Sequence, residues 1–425
     1  MNRSVYTLFY TLLLPLIFLR LWWRSLKDSR YRQRWRERLA LYPQSYFDTS
    51  KPVLLFHVVS VGEFHVAIPL IRACMQQNPG WTLTVTSTTI TGSARVQEVF
   101  GDTVQHCYLP CDTTGAVRRF LQALQPRVML LMETELWPNL IHYSQQRGCH
   151  ILLLNARLSE KSFRKYRKHA ALTQSMLLEL DKVAAQFEQD AEYFRQLGLP
   201  AHALEVAGTM KFDQQVDAGQ VKAAELFRQS LGRPVFVAGS TRAGEEIKML
   251  EAFRLILQAI PDTLLILVPR HPDRLAEVKA LLREQQWTFV LHSSKQSVSK
   301  ETQVMLGDTM GEMQYYFACA DAAFVGGSLV NTGGQNMIEA ALVGVPVFTG
   351  PSCFNFQAVS ALMQAAGALV QVNDARELAD RVQEIIQDKD KAAAMIAAAS
   401  EVLATQAGAS ARQLALIQQA IHSGQ

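Results

Sequence analysis

From residue 52 onward the chain alternates short apolar runs with stretches whose apolar positions recur at helical spacing. Residues 53–59, 83–86, 128–132 and 150–154 read as strands, and 64–75 and 92–100 as helices among the segments between them. The apolar runs do not alternate with polar residues, so both faces of each strand are covered and the sheet is parallel. The rhythm resumes after about residue 233, with strands over 235–238, 264–268, 289–291, 304–306, 322–325 and 345–348. The polar stretch 213–231, rich in Gln, Ala and Asp, reads as a linker between the two series.

The fold class is therefore α/β, with two doubly wound, Rossmann-like halves at 51–212 and 232–425. Two such halves on one linker are expected to face each other across a cleft lined by the carboxyl ends of both sheets. The helical stretch after Ala392 is a candidate to pack back across the first half.

Ahead of both halves lies an apolar run over residues 5–19, extended past Arg20 by Leu21, Trp22 and Trp23. Residues 1–50 hold nine Lys/Arg and three Asp/Glu, a net of +6. The whole chain carries +4, so the other 375 residues net −2 and the basic excess is local. No nucleic-acid-binding surface follows from it. A signal peptide fits poorly: Arg3 alone precedes the run, and aromatics and arginines crowd its end in place of a small-x-small site. Residues 1–24 read as a membrane anchor, with Trp22 and Trp23 at the headgroup level. Arg24, Lys27, Arg30, Arg32 and Arg34 then place the chain on the cytoplasmic side. The run is short and holds Pro15, so a tilted span and an interfacial helix both fit. Within 25–50, Tyr31, Trp35 and Leu39 recur every four residues among arginines, a second piece suited to an anionic membrane surface. The six cysteines show no metal-ligand spacing, and most lie in or beside apolar runs, as buried thiols of a reducing compartment do. No metal or cofactor is expected.

Candidate chemistry sits where strands end. Residues 307–351 give strand, Gly326-Gly327, then Gly333-Gly334-Gln335-Asn336 and a helix with Glu339 in its first turn. Glycines there admit a close backbone approach, helix N–H groups suit an anion, and an acid one turn in suits a ribose. The plainer reading of Glu339 is a partner for the helix dipole. Gly239-Ser240-Thr241-Arg242 is a second phosphate-cradling turn, but without a Walker lysine. Neither GxGxxG nor GxSxG occurs, which argues against a dinucleotide-dependent dehydrogenase and a hydrolase elbow.

In the first half, Ser60-Val61-Gly62-Glu63 turns the first strand into a helix and aims Glu63 outward, where a general base for an alcohol belongs. The helix N-terminus is expected to lower this carboxylate's pKa and keep it ionised. A glutamate that only stabilises the helix start has the same spacing. Glu133 and Glu135 lie beside Trp137 after the third strand, and Lys211 closes the half. Arg270, in Pro269-Arg270-His271-Pro272, emerges from a strand end. Such cations suit a departing phosphate.

Taken in order, the Ser60–Glu63, Met132–Asn139, Asn155–Ser159, Gly208–Asp213, Val268–Pro272, Gly307–Glu312 and Phe324–Ser328 motifs resemble one family. It is that of the 3-deoxy-D-manno-octulosonic acid (Kdo) transferases, the lipid A glycosyltransferases of Gram-negative bacteria. The resemblance implies a metal-independent, inverting GT-B enzyme on the cytoplasmic side of the inner membrane. Its donor would be CMP-Kdo and its acceptor the lipid A precursor lipid IVA. By similarity Glu63 is the proton acceptor, and Glu133 and Lys211 stabilise the transition state. Pro269, Arg270, Met310, Gly311, Glu312, Asn336, Met337, Ile338 and Glu339 match the CMP-binding segments. Gln335 and Met337 stand where family members often have His and Pro, which leaves the finer donor contacts open. A nucleotide-sugar epimerase on the same architecture and a catalytically dead nucleotide binder are the competing classes.

Overall fold

The structure is a computed structural model that describes residues 2–423. It divides into two compact units, residues 1–213 with 408–425, and residues 214–407.

The first unit is built on a seven-stranded parallel sheet. Its strands are β1 (Val53–His57), β2 (Thr82–Ser87), β3 (Gln105–Tyr108), β4 (Pro126–Met132), β5 (His150–Ala156), β6 (Lys182–Ala185) and β7 (Leu204–Val206). Their order is β3-β2-β1-β4-β5-β6-β7, so the winding reverses between β1 and β4. Alternate residues of one strand feed opposite layers: Val53 and Leu55 join one buried cluster, Leu54 and Phe56 the other. That two-sided burial is why the strands read as unbroken apolar runs. Strands β3, β6 and β7, not anticipated above, are short; β3 and β7 are sheet edges, β3 with only Cys107 and Tyr108 buried and β7 with no buried residue.

The second unit repeats the plan with β8 (Val235–Thr241), β9 (Leu264–Pro269), β10 (Phe289–Leu291), β11 (Val304–Leu306), β12 (Ala322–Val325), β13 (Val347–Thr349) and β14 (Leu369–Gln371). The order is β10-β11-β9-β8-β12-β13-β14, reversing between β8 and β12. Both units are Rossmann-like, the pair that defines a GT-B chain.

Two expected boundaries shift. Much of the expected linker is the helix Ala218–Leu231, capped by Asp217 and part of the second unit. The last helix, Ala409–Ser423, belongs to the first unit, where Leu416, Ile417 and Ile421 are buried. Asp213 ties it in: its carboxylate accepts the N–H groups of Gly408 (2.7 Å) and Ser410 (2.5 Å).

The N-terminal helix Arg3–Ser25 is long and apolar enough to cross a membrane. One side lies on the first unit: Thr7 Oγ1 donates to Asn139 Oδ1 (2.9 Å), and Phe18 meets the Trp35 ring edge-on at 5.3 Å. Asn139 is itself fixed by the buried Asp112, whose carboxylate accepts the N–H groups of Asn139 (3.0 Å) and Leu140 (2.8 Å). The other side leaves Leu8, Phe9, Leu12, Leu13, Leu16 and Leu19 exposed. The basic stretch behind it is no continuous amphipathic helix: it breaks into the turns Ser29–Arg32 and Trp35–Arg38. Two of its arginines face inward, Arg34 bonding Glu37 and Ser93, and Arg38 the Thr88 carbonyl.

Candidate active site

Open α/β sheets hold ligands where the strand order reverses. Glu63 and Glu133 lie there in the first unit and Asn336–Glu339 follow β12 there in the second, whereas Pro269–Arg270 follow β9 and Met310–Glu312 follow β11. In the first unit Glu63 follows β1 and Glu133 follows β4, on adjacent strands; Asn155 ends β5 beside them.

Glu63 sits in the first turn of the helix Val61–Gln77. Ser60 Oγ accepts the Glu63 N–H (3.3 Å) and donates to Glu63 Oε1 (3.0 Å), while Oε2 accepts the Val59 N–H (2.8 Å). Ser60 caps the helix and the carboxylate reaches back to the N–H of the residue before the cap, so it does stabilise the helix start. The expected lowering of its pKa does not hold. Burial pushes it up to about 7, against the Val59 hydrogen bond, and the charges of Glu133 and Glu135 push the same way. Desolvation and two like charges outweigh the helix dipole, whose effect is typically under 1 kcal/mol.

Glu133 has φ 55°, a left-handed conformation that costs a non-glycine residue about 1–3 kcal/mol. Asn155, opposite, has φ 49°. The Glu133 N–H reaches the Leu154 carbonyl at 2.9 Å and Thr134 Oγ1 donates to the Arg157 carbonyl at 2.6 Å, locking the two strand ends together. Lys211 belongs to the short turn Met210–Asp213. Burial lowers its pKa; Glu133 acts in the opposite sense and Arg157 in the same one. That turn is pinned by Asn155 Oδ1, which accepts the Met210 N–H (3.3 Å). The buried Gln413 completes the support, accepting the Asn155 N–H (2.8 Å) and donating to the Gly208 carbonyl (3.3 Å). The Glu133, Asn155–Ser159 and Lys211 motifs thus converge, and Gln413, far away in sequence, supports them.

In the second unit Arg270 is exposed and donates from Nε to Gln335 Oε1 (3.1 Å). Gln335, where the sequence departs from the family's pattern, therefore holds a candidate phosphate ligand. Asn336 Nδ2 donates to Glu339 Oε1 (3.2 Å), and its Oδ1 accepts the Ile338 N–H (3.2 Å). Burial raises the Glu339 pKa, while the Asn336 hydrogen bond and the charge of Arg270 lower it. Met337 and Ile338 are buried beneath. Pro269, Arg270 and Asn336–Glu339 form one group. Met310, Gly311 and Glu312 follow β11 in a second group, with Glu312 on His292 (3.4 Å) and Thr309, and Met310 exposed.

The anion site read into the glycine loop changes character. The helix after it, Ile338–Leu342, has five residues, and Asn336 already caps Ile338. The N–H groups of Gly327, Ser328 and Leu329 are taken by the Glu245 carboxylate, fully buried, which also accepts from Arg242. Gly326 is needed for packing: a Cβ there would lie 2.7 Å from the Ser240 carbonyl oxygen. The backbone that approaches closely is the neighbouring strand's end. Arg274 in turn holds the buried Glu246 in a bidentate pair (2.6 and 3.0 Å), and Thr241 bonds it too. Glu245 and Glu246 were passed over in the sequence because two acids opening a helix look like ordinary dipole partners.

Comparison with known proteins gives the family and the fold. Residues 33–214 match the family model for 3-deoxy-D-manno-octulosonic-acid transferase (kdotransferase), and residues 235–402 that for glycosyl transferases group 1. The chain is 36% identical over 420 residues to a 3-deoxy-D-manno-octulosonic acid transferase of Haemophilus influenzae, covering 98% of each. It is also 36% identical to that of Bordetella pertussis, covering 97% of this chain and 98% of the relative. A glycosyltransferase structure from Rickettsia africae shares the fold at 12% identity (TM-score 0.58), covering 88% of this chain and 99% of its own. With both halves matched in order and near full-length identity well above 30%, the chain belongs to the 3-deoxy-D-manno-octulosonic acid transferase family of glycosyltransferases.

Proposed function

We propose that the protein transfers Kdo from CMP-Kdo to lipid IVA in lipopolysaccharide biosynthesis, by an inverting displacement. The observation that carries this reading is Glu63: a partly buried carboxylate at the reversal point, its pKa pushed up to about 7 by burial, with Glu133 on the adjacent strand end. A base is most effective when its pKa lies near the working pH. The acceptor hydroxyl oxygen forms its bond to the anomeric carbon of Kdo as the bond to the CMP phosphate breaks, and the proton passes to Glu63. Glu133 and Lys211 stabilise the transition state, the carboxylate through the cationic anomeric centre and the ammonium through developing negative charge. On the other unit Arg270 meets the phosphate, and Asn336 to Glu339, Pro269 and Met310 to Glu312 hold the nucleoside. The exposed leucine face of the N-terminal helix supports attachment to a membrane. The cytoplasmic side of the inner membrane, where a lipid acceptor lies, is the location that goes with this reading.

The test is mass spectrometry of products from CMP-Kdo and lipid IVA, with anomeric configuration read by NMR. Glu63→Gln is expected to lower turnover about 10²- to 10⁴-fold while CMP binding stays within a few-fold. Near-normal turnover in that variant overturns the base. Altered donor without transfer would instead identify an epimerase.

A further inference from the structure

The N-terminal helix is long enough either to cross a bilayer or to lie along its surface, and its contacts decide between the two. Arg3–Ser25 has 23 residues, about 35 Å of helix, so length alone allows a span. Along that whole length, however, one stripe is covered. Arg3, Thr7, Tyr10, Leu14, Ile17, Leu21 and Ser25 recur every three or four residues, and each is partly or fully buried. At the start of the helix the cover is the first unit. Arg3 donates to Asn139 Oδ1 (3.5 Å) and lies over the Tyr143 ring at 5.2 Å, and Thr7 bonds the same Asn139 (2.9 Å). Tyr6 interacts with the buried Asp112 carboxylate and Tyr10 with Cys111. Towards the end, Phe18 meets Trp35 edge-on at 5.3 Å, and Ser25 Oγ accepts from Arg32 Nε (2.8 Å). A helix that left the unit to cross a bilayer would carry Tyr6, Thr7 and Tyr10 into hydrocarbon without these partners and would uncover Asp112 and Asn139.

The opposite face suits a bilayer surface. From Val5 to Leu19 it presents Leu8, Phe9, Leu12, Leu13 and Leu16 with no charge among them. Exposed cations stand at both ends. Arg20, Arg24, Lys27 and Arg32 follow the apolar face. Beside its start lies the helix Glu160–Lys168, whose Tyr166 neighbours Tyr6 and which carries five exposed Lys/Arg against one Glu. This second basic cluster is hidden in the net −2 of residues 51–425. We infer that Arg3–Ser25 does not span the membrane. It stays docked on the first unit and lies in the plane of the bilayer surface, its leucines among the acyl chains and the two basic clusters on anionic lipid headgroups. The inference rests on the membrane attachment in the reading above and fixes its geometry.

Depth measurement tests it. Spin labels are placed one at a time on Leu8→Cys, Leu12→Cys, Leu16→Cys and Leu19→Cys of the full chain, in a Cys353→Ser background because the other five cysteines are buried. The protein is bound to phosphatidylethanolamine–phosphatidylglycerol vesicles, and depth is read from oxygen and nickel relaxation. The four positions cover about 16 Å of helix axis. A docked helix is expected to place all four within a few ångströms of one depth, about 5–10 Å below the headgroups. Depths graded over about 16 Å, with a label near the bilayer centre, overturn the inference alone. Four labels in water, whether free or buried against a second copy of the chain, overturn it together with the membrane attachment. Labelling in cells gives the second reading. An impermeant maleimide is expected to reach Asn2→Cys and Lys27→Cys from the same side, either in spheroplasts or in inverted membrane vesicles. Reaction of the two from opposite sides means a span and overturns the inference.

Discussion

At the scale of single residues, burial and like charge decide what Glu63 does. Its ordinary value is 4.5 and its folded value about 7, so the native state keeps a proton that the unfolded chain releases across that range. The stabilising preference for the protonated form is full below about pH 4.5 and is lost as pH rises through 7. Glu63→Gln is therefore expected to match the wild type in stability near pH 4 and to exceed it by about 1–3 kcal/mol at pH 8, as read from denaturant midpoints. The same variant is expected to lose turnover, with Glu63 as the proposed base. For the wild type, kcat/KM should fall about tenfold per pH unit below 7, because only the ionised carboxylate accepts a proton. Stability and activity thus pull in opposite directions at one side chain, as expected where a charge is held out of water for chemistry.

At the scale of elements, two carboxylates hold loops that carry no chemistry of their own. Glu245 gathers four N–H groups at the ends of β8 and β12. Glu245→Gln leaves a single acceptor and sets its own amide against those donors, a cost of about 2–4 kcal/mol. Hydrogen exchange at Gly327, Ser328 and Leu329 should quicken first, with CMP affinity falling in step. Asp213 caps the helix Ala409–Ser423. Asp213→Ala should loosen that helix by about 1–2 kcal/mol, and with it Gln413, which supports Asn155 and the Gly208 loop. The expected signature is faster exchange in the last helix together with lower kcat, since Lys211 lies in the turn that Asn155 pins.

At the scale of the whole molecule, the N-terminal helix has a division of labour along its two faces. Thr7 and Phe18 bind it to the first unit, whereas Leu8, Leu12, Leu16 and their neighbours face outward. Changing Leu8, Leu12 and Leu16 together to Ser should abolish co-flotation with anionic vesicles and leave the melting temperature nearly unchanged, because those side chains are mostly exposed. Retained flotation would move the membrane contact elsewhere. Much of this plan was legible in the chain. Continuous apolar runs announce strands covered on both faces, so β1, β4, β5, β8, β9 and β12 could be placed within a few residues. Edge strands such as β3 and β7 lack that signature and escaped. Motif order singled out Glu63, Glu133, Lys211 and the segments proposed to hold the nucleotide, since a resemblance reads residue identity. The return of the C-terminal stretch to the first half is expected from the sequence and holds for Ala409–Ser423. The filling of the glycine-loop N–H groups by Glu245 and the support of Asn155 by Gln413 are decided by contacts between distant residues. Sequence sets which groups can ionise and which faces are apolar. The value near 7 at Glu63 came only from folding, because desolvation and the approach of Glu133 and Glu135 exist only once the strand ends stand side by side.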